Sequence, residues 1–283
     1  MRPLRMSTDP QHRASSSRTI ARKGVFCICI SIGVCAGLAL ESLPAKAYRP
    51  FDGTDAAVAD LNQIEIELQP IGVLQEGSAK TLIAPQNVFN YGFAQDWEAV
   101  LQGQLESQLS PFNHESLTAT AVFLKHVVQP GVLQDKPGPS VATEFGLLLP
   151  SVGAASAVGA SWDWIVSQRF AWGTLHLNAM ASLTNDQHAD LFFDAIVEGP
   201  STWKLRPVAE IFSDSLIGRT QTYSGLVGVI WQVRDDLALD LAVRHAISGG
   251  REVNELRAGA TIAFPLEALS QPANIWQPNH PAK

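Results

Sequence analysis

Charged side chains recur at every second position in several short stretches of this chain, and the chemistry they can do depends on what they line. Glu65, Glu67, Glu98, Glu106, Glu144, Asp163 and Arg169 fall on the polar side of an apolar and polar alternation, and so do His176, Asp194, Lys204, Arg206, Glu210, Asp240, Arg244 and Arg257. Turned toward one shared interior, such groups either pair across strands and fill it or form a charged constriction that selects what passes. Acids outnumber bases in this set, so a water path between them would favour cations over anions.

Other chemistries find little support. There is no G-x-S-x-G turn for a serine nucleophile and no H-E-x-x-H pair for zinc. Histidines stand at His126, His176, His188 and His245, and the nearest constellation is His176 in a row with Thr174 and Asn178 on one strand face. A lipid hydrolase would need a serine and a histidine within hydrogen-bonding reach on one wall. No glycine-rich phosphate loop is present, and Gly249-Gly250 reads as a hairpin turn. Asp186 and Asp214 lack the fixed spacing of a calcium site. No catalytic, cofactor-binding or metal site is therefore expected.

These residues need elements that place them, and the chain first needs a compartment. Arg22-Lys23 precede the uncharged apolar stretch 24–40, and Ala45-Lys46-Ala47 follows it. That order is the one of a secretory signal peptide, with cleavage after Ala47 and residues 1–47 removed. An uncleaved anchor is the other reading, and translation starting at Met6 is a variant of the first. Removing 1–47 leaves 13 basic against 25 acidic residues, which argues against nucleic acid as a partner. All three cysteines, Cys27, Cys29 and Cys35, go with the leader.

After the leader the period is two. Ile64, Ile66 and Leu68 interleave with Glu65, Glu67 and Gln69, and Leu237, Leu239, Leu241 and Val243 flank Asp240 and Arg244. Turn residues divide the chain into about twelve strands, near 64–74, 81–91, 96–107, 117–128, 141–150, 158–169, 172–184, 189–198, 202–212, 221–233, 237–247 and 254–264. The expected fold is all-β: an up-and-down antiparallel transmembrane barrel over 64–264, in contact with outer-membrane lipid. If both ends are periplasmic, the tight turns fall inside and the longer connections, such as 108–116 and 151–157, fall outside. Residues 48–63 are then a periplasmic N-terminal segment and 265–283 a periplasmic tail. Aromatics near the expected strand ends, Tyr91, Phe93, Trp97, Trp162, Trp164, Phe170, Trp172, Trp203, Trp231 and Phe264, suit interface girdles. A soluble β-sandwich shares the alternation but gives no reason for those aromatics. Arg257-Ala258-Gly259-Ala260-Thr261-Ile262-Ala263-Phe264 resembles the closing-strand signal read by barrel-assembly machinery, set 19 residues before the end.

The stretch Tyr48-Arg49-Pro50-Phe51-Asp52-Gly53-Thr54-Asp55-Ala56, with Glu65 and Glu67 beyond it, resembles the opening of the MetA-pathway phenol-degradation family of outer-membrane barrels. Asn90-Tyr91-Gly92-Phe93-Ala94-Gln95-Asp96-Trp97 and Pro139-Ser140-Val141-Ala142-Thr143-Glu144-Phe145-Gly146 continue the similarity. Gly53-Thr54-Asp55 stands where the family often has consecutive acidic residues, and Asn62 stands near the expected glycine. The resemblance implies an outer-membrane channel or transporter for small, often aromatic or apolar, molecules. A non-conducting structural or interaction barrel remains the second reading, and a barrel-type lipid hydrolase the third.

Overall fold

A computed structural model describes residues 49–110, 112–152 and 157–270. The leader with its Ala47 site and residues 271–283 of the tail lie outside the described residues. Twelve antiparallel strands form a closed barrel: β1 Gln63–Glu76, β2 Ala79–Ala94, β3 Trp97–Ser110, β4 Phe112–Gln129, β5 Ser140–Leu148 and β6 Gly159–Phe170, then β7 Gly173–Leu183, β8 Ala189–Glu198, β9 Leu205–Leu216, β10 Thr220–Arg234, β11 Leu237–Ser248 and β12 Arg251–Pro265. Each strand pairs with its chain neighbours, and β1 pairs with β12 in the register Ile66↔Ile262, so the sheet has no free edge. After β12 a short turn, Leu266–Ser270, begins the tail, and Leu266 N donates to Asn62 O at 2.7 Å.

The alternation sorts side chains by solvent. Outside, Leu101, Ile211 and Val227 are 53%, 66% and 59% exposed, whereas Glu67, Lys125, Glu210 and Arg257 are buried inside. A wall that is apolar outward and charged inward inverts a soluble sandwich, and it suits hydrocarbon rather than water. Exposed Phe93, Phe170, Trp172, Trp203 and Trp231 ring the end of the barrel where the described chain enters and leaves, with Trp97 stacked on His126 at 4.1 Å. We call this the terminal end.

Two features depart from a regular ladder. Pro70 and Pro85 sit at facing gaps in the β1–β2 pairing, between Gln69↔Gln86 and Gly72↔Ile83. Proline has no N–H to give the ladder, and the inward face of β1 shifts there from Glu65, Glu67 and Gln69 to Leu74 and Glu76. The connection expected over 108–116 is instead ladder. β3 runs to Ser110 and β4 starts at Phe112, with Glu106↔Ser116 paired, because Leu105, Leu109 and Leu117 continue the alternation.

Candidate functional site

Residues 49–59 of the segment expected to be periplasmic run across the interior of the barrel, and 60–62 are exposed at its rim, where Asn62 N donates to Gly92 O at 2.7 Å. Residues 49–59 share no ladder with a strand, so their backbone donors and acceptors must find side chains. Arg49 Nη2 donates to Gln69 Oε1 of β1 at 2.8 Å, and its Nε lies 3.3 Å from Asp240 Oδ2 of β11. Arg257 Nη1 of β12 donates to Pro50 O at 2.9 Å. The N–H groups of Asp52 and Gly53 both donate to Glu210 Oε1 of β9, at 2.9 and 2.8 Å. Asn178 of β7 accepts Thr54 N at 3.1 Å and donates to Thr54 O at 2.8 Å, reproducing a strand's pairing with one amide side chain. Ala56 N reaches Ser167 Oγ of β6 at 2.9 Å, and Ala59 N reaches Glu98 Oε2 of β3 at 2.5 Å.

Close packing accompanies these bonds. Phe51 lies on Val208, Ile230 and Ala238, and Ala56 on Ala142, Ile165 and Leu133. A Cβ on Gly53 would stand 1.7 Å from Asp194 Oδ2, and one on Gly259 would stand 2.2 Å from Arg49 Nε. A side chain at either place would displace the Asp194 or Arg49 side chain from its present position, so glycine lets segment and wall approach as they do. The segment occupies the terminal half of the lumen and floors a cavity of about 620 Å³ in the other half. That cavity extends to Glu76, Asp214, Thr222 and Ser248, residues near the hairpins of the opposite end.

An ion-paired cluster fastens the floor. Arg257 Nη2 donates to Asp52 Oδ1 at 2.8 Å, its Nε to Glu255 Oε1 at 3.0 Å, and Arg244 Nη2 lies 2.7 Å from Glu255 Oε2. Burial alone would raise the Asp52 carboxyl, but the charges of Arg257 and Arg244 and the hydrogen bond from Arg257 outweigh it and hold the group below the usual carboxylate range. A carboxyl lowered in the docked segment stabilises docking above its undocked value, and that stability is lost as pH falls through the docked value. The contribution of Asp52 to docking is thus expected to be fully present above about pH 5 and to weaken below about pH 4. Conductance in planar bilayers should rise over that acid range and should not do so in the same way for Asp52→Asn, which carries no charge to lose. An identical acid profile in both proteins rules out Asp52 as the sensor.

The predicted interior residues divide by level. Glu67, Glu98, Glu144, Asp163 and Arg244 line the cavity, while Asp194, Glu210 and Asp240 meet the segment. Glu65 shares a small void with Asp55 and Ala59. Glu106 is half-buried and accepts hydrogen bonds from Gln104 and Thr118. Two assignments are corrected: Arg169 is exposed at the end of β6, and Lys204 is exposed in the connection before β9. Strand parity was extended past the wall in both cases. Lys125 and Glu255 are interior residues that the alternation did not single out.

His176 and Arg206 lie toward the terminal end, around Glu198, at 3.6 and 3.7 Å. Ser167 Oγ and His176 Nδ1 are 2.8 Å apart, the serine and histidine contact that a hydrolase would need. Ser167 is fully buried and its oxygen already accepts Ala56 N–H, so in this arrangement the pair anchors the segment.

Two solved structures share the fold over most of this chain. An outer membrane channel from Pseudomonas putida F1 is 7% identical, with a TM-score of 0.58 over 76% of this chain and 100% of its own. A KdgM porin is 8% identical, with a TM-score of 0.50 over 71% of this chain and 99% of its own. At such identities the likeness is one of fold. No family model and no curated sequence matches the chain.

Proposed function

We propose that this chain is an outer-membrane channel for small molecules whose conductance is set by its own N-terminal segment. In this reading the terminal end faces the periplasm, the leader ending at Ala47 is removed on export, and the cavity opens to the outside. The observation that carries it is the floor itself, a segment held across the lumen by side chains of eight strands rather than by a continuous packed core. An apolar outer face, an aromatic ring and a fold shared with a channel and a porin support the membrane setting. The resemblance of residues 48–56 to the MetA-pathway family supports membership there, with barrel-assembly machinery closing β12 against β1. Phe123, Phe192 and Phe212 beside charged residues in the cavity suit a small molecule with an aromatic or apolar body.

The test is made on the refolded chain from Tyr48 in detergent and in planar bilayers. The unboiled protein is expected to migrate faster than the boiled one on a denaturing gel and to give small, discrete conductance steps. A folded barrel that passes no ions under any condition would instead favour the non-conducting structural reading. Equal migration with and without boiling would remove the membrane reading altogether.

A further inference from the structure

One row of side chains crosses the inner wall in direct cross-strand register: Glu98↔Lys125, Lys125↔Glu144, Glu144↔Asp163, Asp163↔Met180 and Met180↔Phe192. All of these residues line the cavity. Glu144 and Asp163 stand directly opposite each other, and like charges in that position repel. The nearest cation, Lys125, turns to the floor, where it donates to Thr54 Oγ1 at 3.0 Å and lies 3.8 Å from Asp55. It already stands among Asp55, Glu98, Glu144 and Glu67. Asp163 is only 7% exposed, and its Oδ1 has no hydrogen-bond partner. Asp163 lines the cavity with its Oδ1 occluded and without a donor, and the two facing carboxyl groups share the one lysine between them, so a further cation at the pair would be favoured.

The walls around the pair decide which cation fits. Phe123 lies against Gly146, one inward step along β5 from Glu144. Met180 and Phe192 follow Asp163 around the wall, and Phe212 packs on Phe192 at 5.1 Å. A hydrated metal ion needs oxygen ligands on most sides, and among the described residues no third acidic, histidine or cysteine side chain completes such a set with the pair. An ammonium on an aromatic or apolar body uses both surfaces, since its N–H groups bridge the carboxylates and its body and charge meet ring faces.

We propose that the cavity is a binding site for small organic ammonium ions, with the nitrogen between Glu144 and Asp163 and the body against Phe123, Met180 and Phe192. This rests on the channel reading and names the class of molecule admitted. The probes are 2-phenylethylamine, its neutral isostere 2-phenylethanol and the anion phenylacetate, titrated calorimetrically into the refolded chain in detergent. The amine is expected to bind saturably at one site, at least about tenfold tighter than the alcohol, with no binding of the anion. Asp163→Asn and Glu144→Gln, each checked for heat-modifiable migration, should each weaken the amine about tenfold.

Equal affinity for amine and alcohol overturns the proposal without any mutant, and so does displacement of the amine by micromolar calcium, which would make this an inorganic cation site. Unchanged amine affinity in both folded variants overturns it as well. Conductance of the unmutated protein separates the two readings. Channels without amine binding remove only this site, whereas amine binding without channels removes the channel and leaves a ligand-binding barrel.

Discussion

Deleting residues 49–60, with the leader and Tyr48 kept, should raise single-channel conductance roughly fivefold. Twelve strands enclose a lumen between the filled interior of small barrels and the open pore of large ones, so whatever crosses that lumen sets the free area. Here the crossing is made by one extended segment with Phe51 and Ala56 packed against opposite parts of the wall. The strand ladder does not depend on it: Gln63 already pairs with Pro265, and the β1–β12 closure lies beyond the deletion. The shortened protein is therefore expected to keep heat-modifiable migration. It loses the donors that satisfy Glu210, Asp240 and Glu98, and water entering the lumen replaces them. Conductance equal to that of the full chain would place the resistance elsewhere and remove the segment from the gating account.

Period two was enough to read the strands, the closure and most of the interior face, because lipid outside and charge inside force a polarity change at every residue of a wall strand. The rule stops where that force stops. Arg169 and Lys204 keep the parity of β6 and β9 but stand beyond the wall, where water receives a charge on either side. Lys125 was hidden in the run Val122-Phe123-Leu124-Lys125-His126-Val127, since its inward neighbours Ala121, Phe123 and Val127 are themselves apolar. Pro70 and Pro85 shift the parity of β1, and a proline's effect on register shows only once its partner strand is known.

The N-terminal segment was misplaced for a different reason. Its residues have no period, and its partners lie up to 207 positions away. Nothing local marks Glu210 as the acceptor for Asp52 and Gly53, or Asn178 as the partner of Thr54. Family resemblance drew attention to the right residues, Arg49 to Asp55, without saying where they sit. The Glu144 and Asp163 pair was legible only as two separate acids, because cross-strand register is not written in either strand alone.

Arg257→Ala is expected to release the segment while leaving the barrel closed. The guanidinium serves three acceptors at once, Pro50 O, the Asp52 carboxylate and the Glu255 carboxylate. Its loss leaves Glu255 to Arg244 alone and Asp52 without its ion pair. Breaking a buried pair by removing one partner costs about 3 kcal/mol or more, and the low end applies here because the Asp52 side chain, 27% exposed, keeps contact with the cavity. That cost falls on docking, since β12 keeps its ladder whatever stands at position 257. The readout is a single cysteine. A chain beginning at Tyr48 has none, so Ala57→Cys, buried in the docked segment, reports its release through the rate of reaction with a charged thiol reagent. About 3 kcal/mol corresponds to a rise of roughly a hundredfold in the open fraction, hence in labelling rate while opening is rare. Arg257→Lys should fall between, because one ammonium keeps the charge but cannot reach all three acceptors in the guanidinium's plane. Labelling as slow in Arg257→Ala as in the unmutated background would mean that Glu210, Asn178 and the apolar seats of Phe51 and Ala56 hold the segment without the ion pair, and the acid response predicted for Asp52 would then have no mechanical basis.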